Sequence, residues 1–374
     1  MLDKLKRLEE TLNPMLFKKV GRIDNVLAYE TLDRLYEIPD PAMMTPVESG
    51  WIWGAEESFC WLKTDFTVPE ELDGQNLYLM PHTEGYESLL CVNGKPFGTF
   101  CTKIVFTGHG NHYCDLLKMN VKSGEKIDIA LEVYSGHTHL GCSPLETSRL
   151  LKEYRYKFGG IDICLKDEYI NEFYFDLRVL NELCEVLPES SFRRGDIINA
   201  LYEVHKRVYY AYDDVDEETF RTALKAAHPY LKEALAVKNG PDAAEACIVG
   251  HSHLDTAWLW KKTETIKKCA RTYSNAVSMM QQYPEFIFTQ SSACHSDMVL
   301  KHYPSLFEDI KARVAEGRYE PNGGVWVECD CNITSGESMV RQFLWGQRFT
   351  RKHFNFTSNC FWLPDTFGYS AAIP

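Results

Sequence analysis

No stretch of the 374-residue chain approaches the roughly 20 consecutive apolar residues of a membrane-spanning helix. The opening residues, MLDKLKRLEETLN, are charged and amphipathic and lack the apolar core of a secretory signal, so a true start and a cytoplasmic protein are expected. No basic tract offsets a formal net charge of −13, so the phosphates of nucleic acid or of an anionic membrane would repel this chain. The 13 cysteines follow no framework spacing and are expected to be reduced thiols. The sequons at Asn332 and Asn355 then carry no meaning. There is no low-complexity run, no G-x-S-x-G and no phosphate-cradling loop. What the chain does have is aromatic residues, at 13%, enough both for a large core and for stacking on the apolar faces of sugar rings.

The length predicts two or three domains. Residues 1–45 read as a helical segment, with "LDKLKRLEETL" and "LAYETLDRLYEI" both at helical period, ended by "PDPAMMTP". Residues 46–185 read as a β-sandwich, with short strands such as "FCWLKTDFTVP", "NLYLMP" and "KIDIALEVYS". Within it "SLLCVNGKPFGTF" predicts a hairpin turning at Asn93-Gly94. Residues 186–240 return to helical period, and "KNGPDAA" closes that helical linker region. From 241 to 374 candidate strands "ACIVG", "FIFTQ", "YEPNGGVWV" and "NCFWLP" alternate with helical stretches, which predicts an α/β domain with parallel strands. Ligands of such sheets sit at the carboxyl ends of the strands, so the loops "GHSHLD" and "DTFGYS" belong on one rim.

In "GHSHLDTAWLW" the side chains of His253 and Asp255 point the same way from an extended backbone and can offer one nitrogen and one oxygen to a single ion. His251 falls on the same face and can support that pair. Asp365, after "CFWLP", can serve as a ligand or as a nucleophile. Trp258, Trp260 and Phe367 can be sugar platforms. Each reading has a structural rival: a strand-end histidine, a helix-capping aspartate, an Asx-turn, or core aromatics. His109-x-x-His112, His137-x-His139 and Cys329-x-Cys331 read as surface or structural residues. So does the acidic group Glu328, Asp330 and Glu337, with Glu337 placed in the first turn of a helix.

Three long motifs in order, "GHSHLDTAWLW", "GRYEPNGGVWVECDCNITSGESMVRQFLWGQ" and "FWLPDTFGYSAAIP", resemble the family 38 glycoside hydrolases, the α-mannosidases, most closely their cytosolic and bacterial type. The resemblance runs from about 245 to the end. It implies that His253 and Asp255 are zinc ligands, that Asp365 both ligates Zn2+ and attacks the anomeric carbon, and that Trp258 and Phe367 line the pocket of a terminal mannose. Retaining hydrolysis of mannose-containing oligosaccharides is the implied reaction. "DFTVPEELDGQNLYL" with "ESLLCVNGKPFG" is similar to galactose-binding-like jelly rolls that accompany glycosidases. The family's remaining ligand histidine, its acid/base carboxylate and about three further barrel strands would lie beyond Pro374. The expectation is therefore an incomplete β/α barrel without turnover of its own. An uncovered edge strand would favour aggregation or homo-oligomers. Two other classes stay open: a different zinc hydrolase, such as a deacetylase or amidase, and a non-catalytic glycan-binding module.

Overall fold

A computed structural model describes residues 1–101, 112–137, 154–208, 214–241, 243–371 and 373. His109 and His139 lie outside the described residues. The chain forms two compact units, Met1–Gly21 with Cys164–Ala246, and Arg22–Ile163 with Cys247–Pro374.

The first unit is built on four helices, α1 (Leu2–Leu12), α2 (Glu168–Val186), α3 (Phe192–Arg207) and α4 (Glu217–Ala236). In α1 the spacing of Leu5, Leu8 and Leu12 lays one apolar stripe along the helix, and all three are fully buried. They join Phe173, Leu177, Leu201, Phe220 and Leu224 in one core. Each of the other helices starts on a side-chain cap: Asp167 accepts from Ile170 N–H, Ser191 from Arg194 N–H and Asp216 from Thr219 N–H. The sandwich predicted through residue 185 thus gives way to helix from Glu168 onward.

The second unit contains a six-stranded antiparallel sheet, in the order Thr45–Val47, Val26–Thr31, Phe59–Thr67, Lys126–Tyr134, Glu87–Val92, Lys95–Cys101. In the expected hairpin, Asn93 (φ 50°) and Gly94 (φ 80°) take the positive angles of a tight turn. The segment "LAYETLDRLYEI" is a correction. It forms the strand Val26–Thr31, with no helix after it. Val26 and Ala28 alternate into the core, and the ladder to Phe59–Thr67 outweighs the helical spacing of the leucines.

The same unit holds a three-stranded parallel sheet, Gly250–His251, Phe288–Ser292 and Tyr319–Val325. Helices α5 (Lys262–Gln282), α6 (Ala293–His302) and α7 (Pro304–Ala315) connect them, and α8 (Gly336–Phe354) follows the third strand. Glu337 does lie in the first turn of α8. The fourth expected strand, "NCFWLP", does not form. Its backbone bond to the third strand is Trp362 N–H to Gly323 O at 3.4 Å, too little for a ladder. The cause lies in the "NGG" of the third strand. A Cβ on Gly323 would sit 1.5 Å from Ser291 O, and Gly324 has φ 75° with Cys360 O where its Cβ would go. The two glycines let neighbouring backbones approach closely, and they accompany a break in register between Gln290 and Ser292.

Candidate metal centre

All but one of the side chains of interest lie at or just past the carboxyl end of a parallel strand. His253 and Asp255 follow Gly250–His251, Ser291 and Ser292 end the middle strand, and Glu328 stands just past Val325. Asp365 arrives from the irregular segment beside them. Here Tyr369 Oη donates to Leu363 O at 3.0 Å and pins the loop.

His253 Nε2 is 3.5 Å from Asp255 Oδ1 and 3.4 Å from Asp365 Oδ2. The ligand atoms of the three residues all lie within 4.8 Å of one another. Direct N–H···O hydrogen bonds would sit nearer about 2.9 Å. An ion bound tetrahedrally by nitrogen and oxygen at about 2.0–2.2 Å sets ligand–ligand edges of about 3.3–3.5 Å. The two spacings from His253 Nε2 match the second geometry. A ring nitrogen among the donors also argues against Ca2+ and Mg2+, which prefer oxygen. The three side chains are 31%, 34% and 46% exposed, so a ligand from solvent can reach them.

The far nitrogen of the same ring faces a carboxylate. His253 Nδ1 is 2.8 Å from Glu328 Oε2. Ser291 Oγ donates to the other carboxylate oxygen of Glu328, and the Glu328 N–H donates to Ser292 Oγ at 3.2 Å. Sequence reading placed Glu328 in a bland acidic group. The available signal was its position just past a strand of the same sheet, on the rim already expected to hold the site.

His251 does not support the pair as expected. Its Nδ1 turns to Thr289 O at 3.0 Å, its ring packs 4.3 Å from that of Trp362, and its Nε2 is buried with no hydrogen-bond partner among the described residues. Trp258 and Phe367 are 60% and 97% exposed, so neither is a core aromatic. Trp260 is half-buried, and its indole N–H donates to Thr265 Oγ1 at 3.1 Å. Behind the cluster His295 is buried, held by Thr256 Oγ1 at 3.0 Å and Tyr273 Oη at 3.1 Å. Burial, with His253 nearby, pushes its imidazole down to about 4.

A second group of donors, Glu172, Asp176 and His228, lies in the first unit. There Lys232 Nζ sits 2.5 Å from Glu172 and 2.7 Å from Asp176, so an ammonium already supplies the positive charge. Cys329 and Cys331 form no ribbon, and Cys331 Sγ lies against Cys329 O.

Residues 243–374 match the Glycosyl hydrolases family 38 N-terminal domain. Alpha-mannosidase G of Dictyostelium discoideum is 33% identical over 328 residues, 84% of this chain and 28% of that protein. Human Alpha-mannosidase 2C1 is 30% identical over 388 residues, 99% of this chain and 35% of that protein. The chain thus spans about a third of the length of these curated relatives. A β-glucuronidase from Ruminococcus gnavus overlaps 41% of the chain and 29% of its own at a TM-score of 0.28 and 11% identity, too loose a superposition to assign a fold.

Proposed function

The chain belongs, through residues 243–374, to the glycosyl hydrolases of family 38, and on that premise we propose that the protein is an α-mannosidase: a zinc-dependent, retaining hydrolase of terminal α-mannosyl residues in oligosaccharides. The observation that carries this reading is the convergence of His253, Asp255 and Asp365 at spacings that suit a small tetrahedral ion. Relatives that match most of the chain are named alpha-mannosidases.

In this reading His253 Nε2, Asp255 and Asp365 hold Zn2+. When bound, the ion supplies a Lewis-acidic anchor for neighbouring hydroxyls of the sugar. Asp365 turns Oδ2 towards His253. Its other oxygen is the nucleophile: it attacks the anomeric carbon as the glycosidic C–O bond breaks and the leaving oxygen is protonated to the alcohol, and water later hydrolyses the resulting glycosyl ester to the free sugar and the carboxylate. Holding that carboxylate in one orientation supplies much of the rate. Trp258 and Phe367 offer exposed apolar faces on which a pyranose ring stacks. The six-stranded sheet is read as part of a galactose-binding-like jelly roll and the parallel sheet as part of a β/α barrel. The antiparallel ladders and the alternation of strand and helix support both.

Anomalous scattering at the zinc edge tests the metal. One ion bounded by His253, Asp255 and Asp365 is expected, and these residues without zinc at saturating metal would refute the reading. A fluorinated mannosyl fluoride tests the chemistry in an active preparation. An ester on Asp365 is expected. Hydrolysis without any covalent adduct would favour zinc-activated water, as in an amidase.

A further inference from the structure

Glu328 presents a carboxylate that the proposed reaction does not use, held more tightly than either aspartate of the cluster. Its side chain is 10% exposed, against 34% for Asp255 and 46% for Asp365. One oxygen takes the Ser291 hydroxyl, the other faces His253 Nδ1 at 2.8 Å, and the backbone N–H is tied to Ser292. The carboxylate lies on the side of the imidazole away from the nitrogen that faces the two aspartates, so it is not placed as a fourth donor of the cluster.

We propose that Glu328 is a positioning residue for His253. With Oε2 2.8 Å from Nδ1, its negative charge favours the tautomer that carries the proton on Nδ1 and leaves the lone pair on Nε2, on the side of Asp255 and Asp365. Ser291 and Ser292 fix Glu328 in turn, so the middle strand's end sets the orientation of a side chain on the first. The inference rests on the reading that His253 ligates zinc, and the experiment separates the two.

Zinc affinity of the full chain is measured by competition with a chromophoric chelator for wild type, H253A, E328A and E328Q. E328A is expected to bind about 10–100-fold more weakly than wild type, the range found when such supporting carboxylates are lost. Glu328→Gln keeps an acceptor in place and is expected to lose less than E328A. E328A within twofold of wild type, while H253A binds far more weakly, overturns the role of Glu328 and leaves the zinc reading standing. H253A binding like wild type overturns the zinc reading and this inference with it. A measurement on the unaltered chain guards against a misfolded variant. Imidazole ¹⁵N shifts of His253 in metal-free protein, at a pH where the ring is neutral, are expected to show Nδ1 protonated. Protonation of Nε2 instead overturns the proposal.

Discussion

Lys267 is the most exacting place to test how the six-stranded sheet is joined to α5. Its ammonium is fully buried and donates to Glu132 Oε1 on the central strand and to Leu35 O. It also lies 4.8 Å from the Tyr36 ring centre, 5.6 Å from that of Phe59 and 5.8 Å from that of Trp61. Burial pushes the Glu132 carboxyl up and the Lys267 ammonium down, each against the pull of its partner. Both groups therefore depend on the pair to stay ionised. Lys267→Met removes the positive charge, keeps most of the side-chain volume and strands Glu132, which is 1% exposed. Breaking a buried pair from one side costs about 3–5 kcal/mol. For a unit of this size a kilocalorie corresponds to about 2 °C in melting temperature, so a drop of about 6–10 °C is expected. Replacing both partners, as K267M/E132L, removes the stranded charge and should recover most of that loss. Differential scanning calorimetry of the three proteins measures both numbers. K267M melting within about 2 °C of wild type, or a double variant less stable than the single one, would refute the reasoning.

Glu87 gives a pH test of the same joint. Burial alone would push its carboxyl up, but Arg271 and Lys268 hold it at about 2. A folded-state value below the ordinary one means stability that is complete above about pH 5 and lost as pH falls towards 2. The contribution is about 3 kcal/mol at most. E87Q should flatten the acid limb of a pH-dependent melt, and an unchanged limb would count against it. Zinc at a hundredfold excess over its dissociation constant should stabilise the chain by about 2.7 kcal/mol, with the shift lost in D255N. An equal shift in D255N would place the metal elsewhere. G323A should destabilise by about 1–3 kcal/mol or more in urea melts, since its methyl group meets the Ser291 backbone. It should also weaken zinc binding, because Ser291 clamps Glu328; full zinc affinity in a folded G323A would break that link.

The shared direction of His253 and Asp255 was legible in the sequence because it is local, two positions apart just after a strand. Their meeting with Asp365 was expected from a strand that does not form, and it crosses a long stretch of chain. The strand Val26–Thr31 was misread because its leucines fit a helical period equally well, and the deciding contacts come from Phe59–Thr67, far along the chain. "NCFWLP" has the composition of a buried strand, but pairing also needs a regular neighbour, and the strand beside it is disrupted by Gly323 and Gly324. His251 and Glu328 exchanged roles for a similar reason. Alternation puts His251 on the same side as His253, whereas the contact of Glu328 crosses from one strand to another and leaves no local mark.

This framework bears on whether the six-stranded sheet is a sugar-binding surface. On the strands Lys126–Tyr134 and Glu87–Val92, the buried Glu132 and the partly buried Glu87 meet Lys267, Lys268 and Arg271, all on α5. Leu89, Cys91 and Ala130 pack into the same core as Ile266, Ala270 and Tyr273. Over those two strands α5 covers that face, while at its edge Glu87, Thr99 and Cys101 border a cavity of about 580 Å³ that His251 and His253 also line. Helix α5 begins directly after the loop that carries His253, Asp255 and Trp258. Arg271 also binds Glu264 in the first turn of the helix, and Arg34 Nε approaches the same carboxylate at 3.7 Å. An ionic joint of this kind gives orientation more than net stability, because desolvation offsets most of the Coulomb gain. Orientation is what a loop that carries two of the three proposed ligands requires. The sheet on this face thus acts as a brace for the helix that holds one end of the loop.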